Sequence, residues 1–305
     1  MGALVILGLA LGLGSLSIWQ LDPTAAWQVI WTLRLPRVLA ALVVGACLAL
    51  AGGVFQGMLQ NPLADPYILG VSSGAALGAC LGLLTGLVGV GVWAIPMATF
   101  MGAGLTILLI TLMMRWTKGR VVHLILSGIM LNAFFSALTL ILLYVADNKI
   151  RGLMMWFMGD LSTVGYGVLS VCGVLAVMVI GVLLRFGGTL NILAMGDDFA
   201  QSEGVRVKSM RRLLFALASI LTAISVTCGG VIGFVGLIIP HIVRLILGDD
   251  FRVVLPVSVF AGALFLVGAD LVARVIIPGV ELPIGIMTSL IGAPFFMVLL
   301  SKSAE

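Results

Sequence analysis

The sequence predicts an all-α integral membrane protein with ten transmembrane helices, and three observations carry that prediction. Hydrophobic residues make up 62% of the 305-residue chain and charged residues 9%, against roughly 25% charged in soluble domains. The apolar runs reach about twenty residues, the length of a bilayer crossing. They are also too continuous for the short alternating strands of a closed barrel, which leaves helices as the spanning element. The few charges sit at the ends of these runs. A soluble fold of this length has too little interior for so much apolar surface, so the bilayer is the solvent. The 39 glycines fit helices that approach closely through small residues, with GxxxG spacing at Gly8/Gly12 and Gly78/Gly82.

Taken in order, Gly2–Trp19 is the first span: it lacks the basic n-region of a cleaved signal peptide. Arg34-Leu35-Pro36-Arg37 reads as a basic outer loop leading into the second span, Val38–Leu59. That span ends at Asn61-Pro62-Leu63-Ala64-Asp65-Pro66, where two prolines forbid a continuous helix and set a tight inner turn. Spans three to six are Ile68–Leu87, Val92–Met114, Val121–Ala146 and Gly167–Phe186. The stretch from Leu213 to Leu247 would measure about 52 Å as one helix, too long for a core of about 30 Å. Gly229-Gly230 offers the break, giving Leu213–Gly230 and Val231–Leu247, followed by Val253–Ile277 and Pro283–Leu300.

Charge placement tests this count. Ten spans put Arg115, Lys118, Arg120, Arg185, Arg206, Lys208, Arg211, Arg212, Arg244, Arg252 and Lys302 on one side. Only Arg34, Arg37, Lys149, Arg151 and Arg274 fall opposite, so the positive-inside rule places the first group, and both termini, in the cytoplasm. Gly52-Gly53-Val54 and Gly229-Gly230-Val231 then end runs that cross in opposite directions, a pattern compatible with an inverted internal repeat.

The longest inner loop, 191–206, holds Gly196-Asp197-Asp198, a helix start suited to carboxylates. Gly204 supplies a helix stop. A helix of about two turns outside the membrane follows, with Leu193, Met195, Phe199 and Ala200 available to pack. An ordinary amphipathic connector is the competing account. The Asn61–Leu63 turn reads either as a simple hairpin or as a constriction at a pore mouth. Outside, Arg34, Arg37 and Arg274 read as exposed cations, either snorkelling anchors or a docking patch for carboxylates of an acidic soluble partner. Asp270, one turn before Arg274, suits an i,i+4 salt pair; its alternative is a proton-relay carboxylate. Met154-Met155-Trp156-Phe157-Met158 is an interfacial anchor or part of a cavity wall.

Other chemistries find little support. Cys47, Cys80, Cys172 and Cys228 all lie in apolar runs without CxxC spacing, as packing residues do. His123 and His241 lack ligand spacing, so no metal site is expected. Gly70-Val71-Ser72-Ser73-Gly74 matches a nucleophile elbow, with His241 as a conceivable base, but it opens an apolar helix instead of following a strand. The sequence contains no GxxxxGK[ST], so no P-loop binds ATP in this chain.

With these motifs in view, the chain resembles the FecCD-type permease subunits of type II ABC importers for ferric siderophores, haem or cobalamin. The resemblance rests on Arg34-Leu-Pro-Arg37, Gly52-Gly-Val-Phe-Gln56, Asn61-Pro-Leu-Ala-Asp-Pro66 and Leu69-Gly-Val-Ser-Ser-Gly-Ala75. Trp156-Phe-Met-Gly159, Leu193-Ala-Met-Gly196 with Gly204-Val205, Gly233 to Arg244, and Glu281-Leu-Pro-Ile-Gly285 extend it across the chain.

The resemblance implies one permease domain over residues 1–305 in a bacterial inner membrane, paired with a second copy of itself. It also implies two separate cytoplasmic ATPases carrying ATP and Mg, a periplasmic binding protein, a metal-chelate cargo and no nucleic acid. By the same resemblance, Leu193, Gly196, Asp197, Asp198, Phe199, Ala200 and Gly204 form the coupling segment that docks on the ATPase. Arg34, Arg37 and Arg274 receive glutamates of the binding protein. Asn61 and Leu63 match one cytoplasmic gate and Val121 and Val122 the other, where relatives often carry small hydroxyl residues. Valines there give a hydrophobic, dewetting constriction. A secondary transporter titrating Asp270 is the alternative, and a membrane protease built on Ser73 and His241 a distant third.

Overall fold

A computed structural model describes residues 22–67, 69–89, 91–116, 121–145, 154, 156–277 and 280–302. Among them, all regular structure is helical apart from an isolated bridge between Ile277 and Val280. The helices are α1 (Pro23–Val29), α2 (Leu35–Leu59), α3 (Val71–Leu84), α4 (Ala94–Trp116), α5 (Val121–Val145) and α6 (Tyr166–Leu183). They continue with α7 (Gly187–Ala194), α8 (Asp197–Ser202), α9 (Val207–Gly229), α10 (Val235–Leu247), α11 (Phe251–Val275) and α12 (Ile284–Lys302). Six stretches are long and apolar enough to cross a membrane: Pro23–Leu59, Ala94–Arg115, Val121–Val145, Tyr166–Ala194, Val207–Gly229 and Phe251–Val275. Val71–Leu84, Val235–Leu247 and Ile284–Met297 are shorter apolar helices. The expected first span, Gly2–Trp19, and the outer charges Lys149 and Arg151 lie outside the described residues.

One expectation is overturned. Arg34-Leu35-Pro36-Arg37 is not a loop: the chain is helical without interruption from Pro23 to Leu59. The reason is local. A π-helical segment, Ile30–Arg34, precedes α2, and the Leu35 N–H reaches back five residues to the Ile30 carbonyl. Pro36 then falls directly after the π segment, where the hydrogen-bond ladder changes register and a missing N–H is tolerated within the continuous helix. The wider π turn gives the ring room that a continuous α-helix denies it.

Two other boundaries move inward. α3 starts only after Gly70, which is left-handed (φ 78°), and α10 only after Gly230 (φ 67°) and Phe234 (φ 69°) have turned the chain. The break expected at Gly229-Gly230 therefore falls where the glycines put it, and it runs on to Phe234.

α2 is the axis of the bundle, packed against α9, α10 and α11. Its span is 83% buried, against 28% for those of α4, α5 and α6. Their outward faces carry Met97, Met101, Leu108, Leu126, Ile141 and Val177, side chains that suit lipid. Close crossings depend on missing side chains: a Cβ on Gly45 would stand 2.2 Å from the Gly262 carbonyl oxygen, and one on Gly52 1.8 Å from that of Gly236. At the second crossing Pro240 leaves the Gly236 carbonyl without its helical donor. The buried Gln56 amide on α2 donates to Gly236 O (3.4 Å) and Leu237 O (3.1 Å), repairing the defect from the neighbouring helix.

Candidate functional site

α2 and α11 pack along their length with opposite polarity, which leaves a polar constellation at each end of the pair. At one end the start of α2 meets the end of α11. Arg37 Nε donates to Asp270 Oδ1 at 2.9 Å, and its Nη1 donates to Glu281 Oε2. Arg274 Nε lies 3.1 Å from Asp270 Oδ2, the i,i+4 pair that the spacing predicts. Arg34 sits within electrostatic reach of Glu281. Glu281 is held in place by its chain neighbour: the Leu282 N–H donates to the Ala273 carbonyl near the end of α11.

These arginines are not exposed, contrary to expectation. Arg34, Arg37 and Arg274 retain 6%, 8% and 3% of their accessible surface, and Asp270 1%. Guanidinium groups leave water only where carboxylates replace it, and Asp270 and Glu281 are those carboxylates. Sequence spacing revealed Asp270 but not Glu281, which closes on Arg37 from 244 residues away. Among the described residues the cluster gathers three arginines and two carboxylates. The Glu281 side chain, 37% exposed, is the member of the cluster that faces outward.

At the other end the finish of α2 meets the start of α11, and the segment α7–α8 lies across them. Three polar clamps fix that segment. Asn191 on α7 donates its amide to Asp250 Oδ1 (2.6 Å) and accepts from the Phe251 N–H (2.8 Å), gripping the N-cap of α11. Asn191 and the Arg252 N–H hold the Asp250 carboxyl below its usual range. Arg211 on α9, only 1% exposed, forks onto Asp197 at the start of α8, with Nη1–Oδ2 at 2.8 Å. Gln60 Nε2 donates to the Leu193 carbonyl at 2.7 Å.

α8 is shorter than two turns, and Gly204 ends it as expected. Gly204 takes φ 80°, with its N–H on Gln201 O (3.0 Å) and the Val205 N–H on Ala200 O (2.9 Å), the paired bonds of a Schellman stop. Leu193 and Ala200 pack inward, whereas Met195, Asp198 and Phe199 face out. Asp197 is committed to Arg211 and so sets the pose of the helix. Gly196 turns the chain between α7 and α8 at φ 118°.

The gate candidates stand on two elements. Asn61 and Leu63 occupy the turn after α2, where Asn61 Oδ1 accepts from the Leu63 N–H at 2.9 Å and Leu63 is exposed. Val121 and Val122 open α5, Val122 fully turned outward, and no hydrogen bond joins the two sets among the described residues. In the same turn, burial pushes the Asp65 carboxyl up to about 6, against the pull of the Tyr67 N–H. Trp156 lines a cavity of about 310 Å³ with Asp160, Thr163 and Thr227, matching the cavity-wall reading of that stretch. Ser73 gives its hydroxyl to the Gly70 carbonyl (2.8 Å) inside the first turn of α3, so the strand before an elbow nucleophile is missing there.

Sequence reasoning missed Gln60, Asn191, Arg211, Asp250 and Glu281. The one signal for them was a polar residue beside a helix end.

Comparison with known proteins places this architecture. Residues 1–302 match the model of the FecCD transport family. The chain is 36% identical to the hemin transport system permease protein HmuU of Yersinia pestis, over 97% of this chain and 90% of that one. It is 44% identical to the cobalamin import system permease protein BtuC of Halobacterium salinarum, over 91% and 74%. Among solved structures, an inward-facing metal-chelate type ABC transporter superposes with a TM-score of 0.89 at 36% identity, covering 98% of this chain and 96% of that one. With its apolar helices and two polar ends described and residues 1–302 matched, the chain belongs to the FecCD transport family and is a multi-pass membrane permease.

Proposed function

We propose that this permease is one of two identical membrane-spanning halves of an ATP-driven importer for a bulky metal chelate: a ferric siderophore, haem or cobalamin. The relatives named for hemin and cobalamin, and the neighbour named for a metal chelate, support that cargo class. In this reading residues 1–305 form a single ten-span domain with an inverted repeat and both termini in the cytoplasm. The Gln60 end then faces the cytoplasm and the Arg37 end the outside. Hydrolysis takes place on separate ATPases, and this chain supplies a path whose two states differ in affinity.

One observation carries the coupling role. Met195 at the end of α7 and Phe199 in α8 are large apolar side chains, 68% and 40% exposed, on a segment braced from behind by Asn191 in α7 and by Arg211 against α8. An apolar knob on a braced mount fits a groove in a motor subunit, and lipid is the wrong neighbour for the Asp198 beside it. Replacing Met195 and Phe199 with Asp should abolish co-purification of the ATPase while leaving detergent-phase thermal stability unchanged. Undiminished co-purification rejects the role.

At the outer end the binding protein docks by exchange. A partner glutamate takes the place of Glu281 on Arg37, and Asp270 keeps the arginines paired from below. R34E and R37E should each lose capture of the permease by its binding protein; retained capture at moderate salt argues against docking there. Asp270 is engaged with Arg37 and Arg274, a setting that suits this platform better than a proton relay. The inner gate closes in this reading by bringing Asn61 and Leu63, with Val121 and Val122, against the second copy.

A further inference from the structure

Among the described residues a side-chain hydrogen bond from Gln60 ties the end of α2 to the α7–α8 segment. α2 ends with Gln60 in the left-handed region, φ 53° and ψ 35°, a conformation that residues other than glycine seldom adopt. From there its amide nitrogen reaches the Leu193 carbonyl at 2.7 Å. That carbonyl belongs to the last turn of α7 and also accepts the Gly196 N–H at 3.2 Å, so Gln60 supplies its second and shorter donor. Gln60 therefore caps α7 from outside, just before Gly196 turns the chain into α8.

On the other side of Gln60, the Asn61 N–H returns to Gln56 O (3.1 Å) and Asn61 Oδ1 accepts from the Leu63 N–H (2.9 Å). The position of Leu63 is thus fixed relative to Gln60 within one tight turn. The other clamps of the segment lead elsewhere: Asn191 to the start of α11, and Asp197 to Arg211 on α9.

We infer that Gln60 is a positioning residue for transport, transmitting displacement of the Asp197–Ser202 helix to the Asn61–Leu63 turn so that motor and gate move together. The inference rests on the reading that α8 docks on the ATPase and that the turn is a gate. A loop that merely connects two spans needs no non-glycine residue in the left-handed region whose side chain reaches across to another helix. A turn that must follow its neighbour does.

The test uses the permease assembled with its ATPase in inside-out vesicles, with L63C as reporter and a membrane-impermeant maleimide as probe. The four native cysteines are buried and give little background. Trapping the ATPase with ATP and vanadate should change the L63C labelling rate by about tenfold, the scale of an ordinary coupling free energy. Q60N tolerates the left-handed turn but is too short to reach Leu193, and Q60E keeps the reach but offers a carboxylate without a donor. Both should remain co-purified with the ATPase and lose the nucleotide response. Q60K, a donor of similar reach, should keep it.

A full response in Q60N and Q60E overturns the inference and leaves the proposed function standing. Loss in Q60K as well as in Q60E overturns the donor role. If L63C alone does not respond, the gate reading falls and takes this inference with it. Should Q60N fail to assemble, the Q60E and Q60K pair decides the matter.

Discussion

The two ends of the α2–α11 pair are built from different chemistry. At the Arg37 end, five charged side chains from three stretches of chain are packed into a space that excludes most water. At the Gln60 end, amide side chains cap the ends of helices, and one forked ion pair pins α8 to α9. An ionic cluster can exchange one counter-ion for another without moving its backbone, which suits a surface that binds and releases a partner. Caps on helix ends carry no spare charge, but they fix one helix relative to the next, which suits transmission of movement. The same two helices thus offer a socket at one end and a linkage at the other.

Changes at the socket are expected to have the largest effect. R37E places a third carboxylate beside Asp270 and Glu281 and should cost about 3–5 kcal/mol, read as a large fall in thermal midpoint. Combining it with D270K should restore part of the loss; no recovery in that double variant breaks the claim that the end is an ionic unit.

At the linkage, D197A leaves the buried Arg211 guanidinium unpaired and should cost about 2–3 kcal/mol. D197A with R211M should recover most of it. Equal stability of D197A and the parent would show that α8 is not pinned by this pair.

A third test concerns Asp65. Its folded pKa is raised, so its contribution is fully present below the unfolded value near 4 and is lost as pH rises to about 6. The parent should therefore lose on the order of 2 kcal/mol relative to D65N across that window and then run parallel to it. A constant offset between the two would place Asp65 in contact with water.

The smallest effect sharpens the exchange idea. E281Q removes the internal competitor for Arg37, so binding-protein capture should tighten by on the order of 1 kcal/mol, with a steeper salt dependence. Weaker capture would make Glu281 a support for the socket and not a stand-in for the partner.

Sequence patterning reached the helical class, the Gly229-Gly230 break and the Gly196–Gly204 helix, because each depends on neighbours in the chain: apolar length, glycine conformation and a carboxylate at a helix start. It failed where the determining partner was distant. The Arg34–Arg37 run looks like an outer loop because its charges need solvation, and for Arg37 it is Asp270 and Glu281, more than 200 residues on, that supply it. The π segment that admits Pro36 into a continuous helix left no mark in composition. Gln60 looked like the last residue before a turn; its role depends on the Leu193 carbonyl 133 positions away. Asp197 was legible as a helix-start carboxylate, but its commitment to Arg211 was not, since no periodicity links residue 197 to 211.

The most direct test of the account is photo-crosslinking in cells from a benzophenone side chain placed at Phe199, the exposed apolar residue of the braced helix. The account predicts an adduct with the ATPase subunit, absent when Met195 is Asp. Adducts confined to a periplasmic protein or to lipid would contradict it.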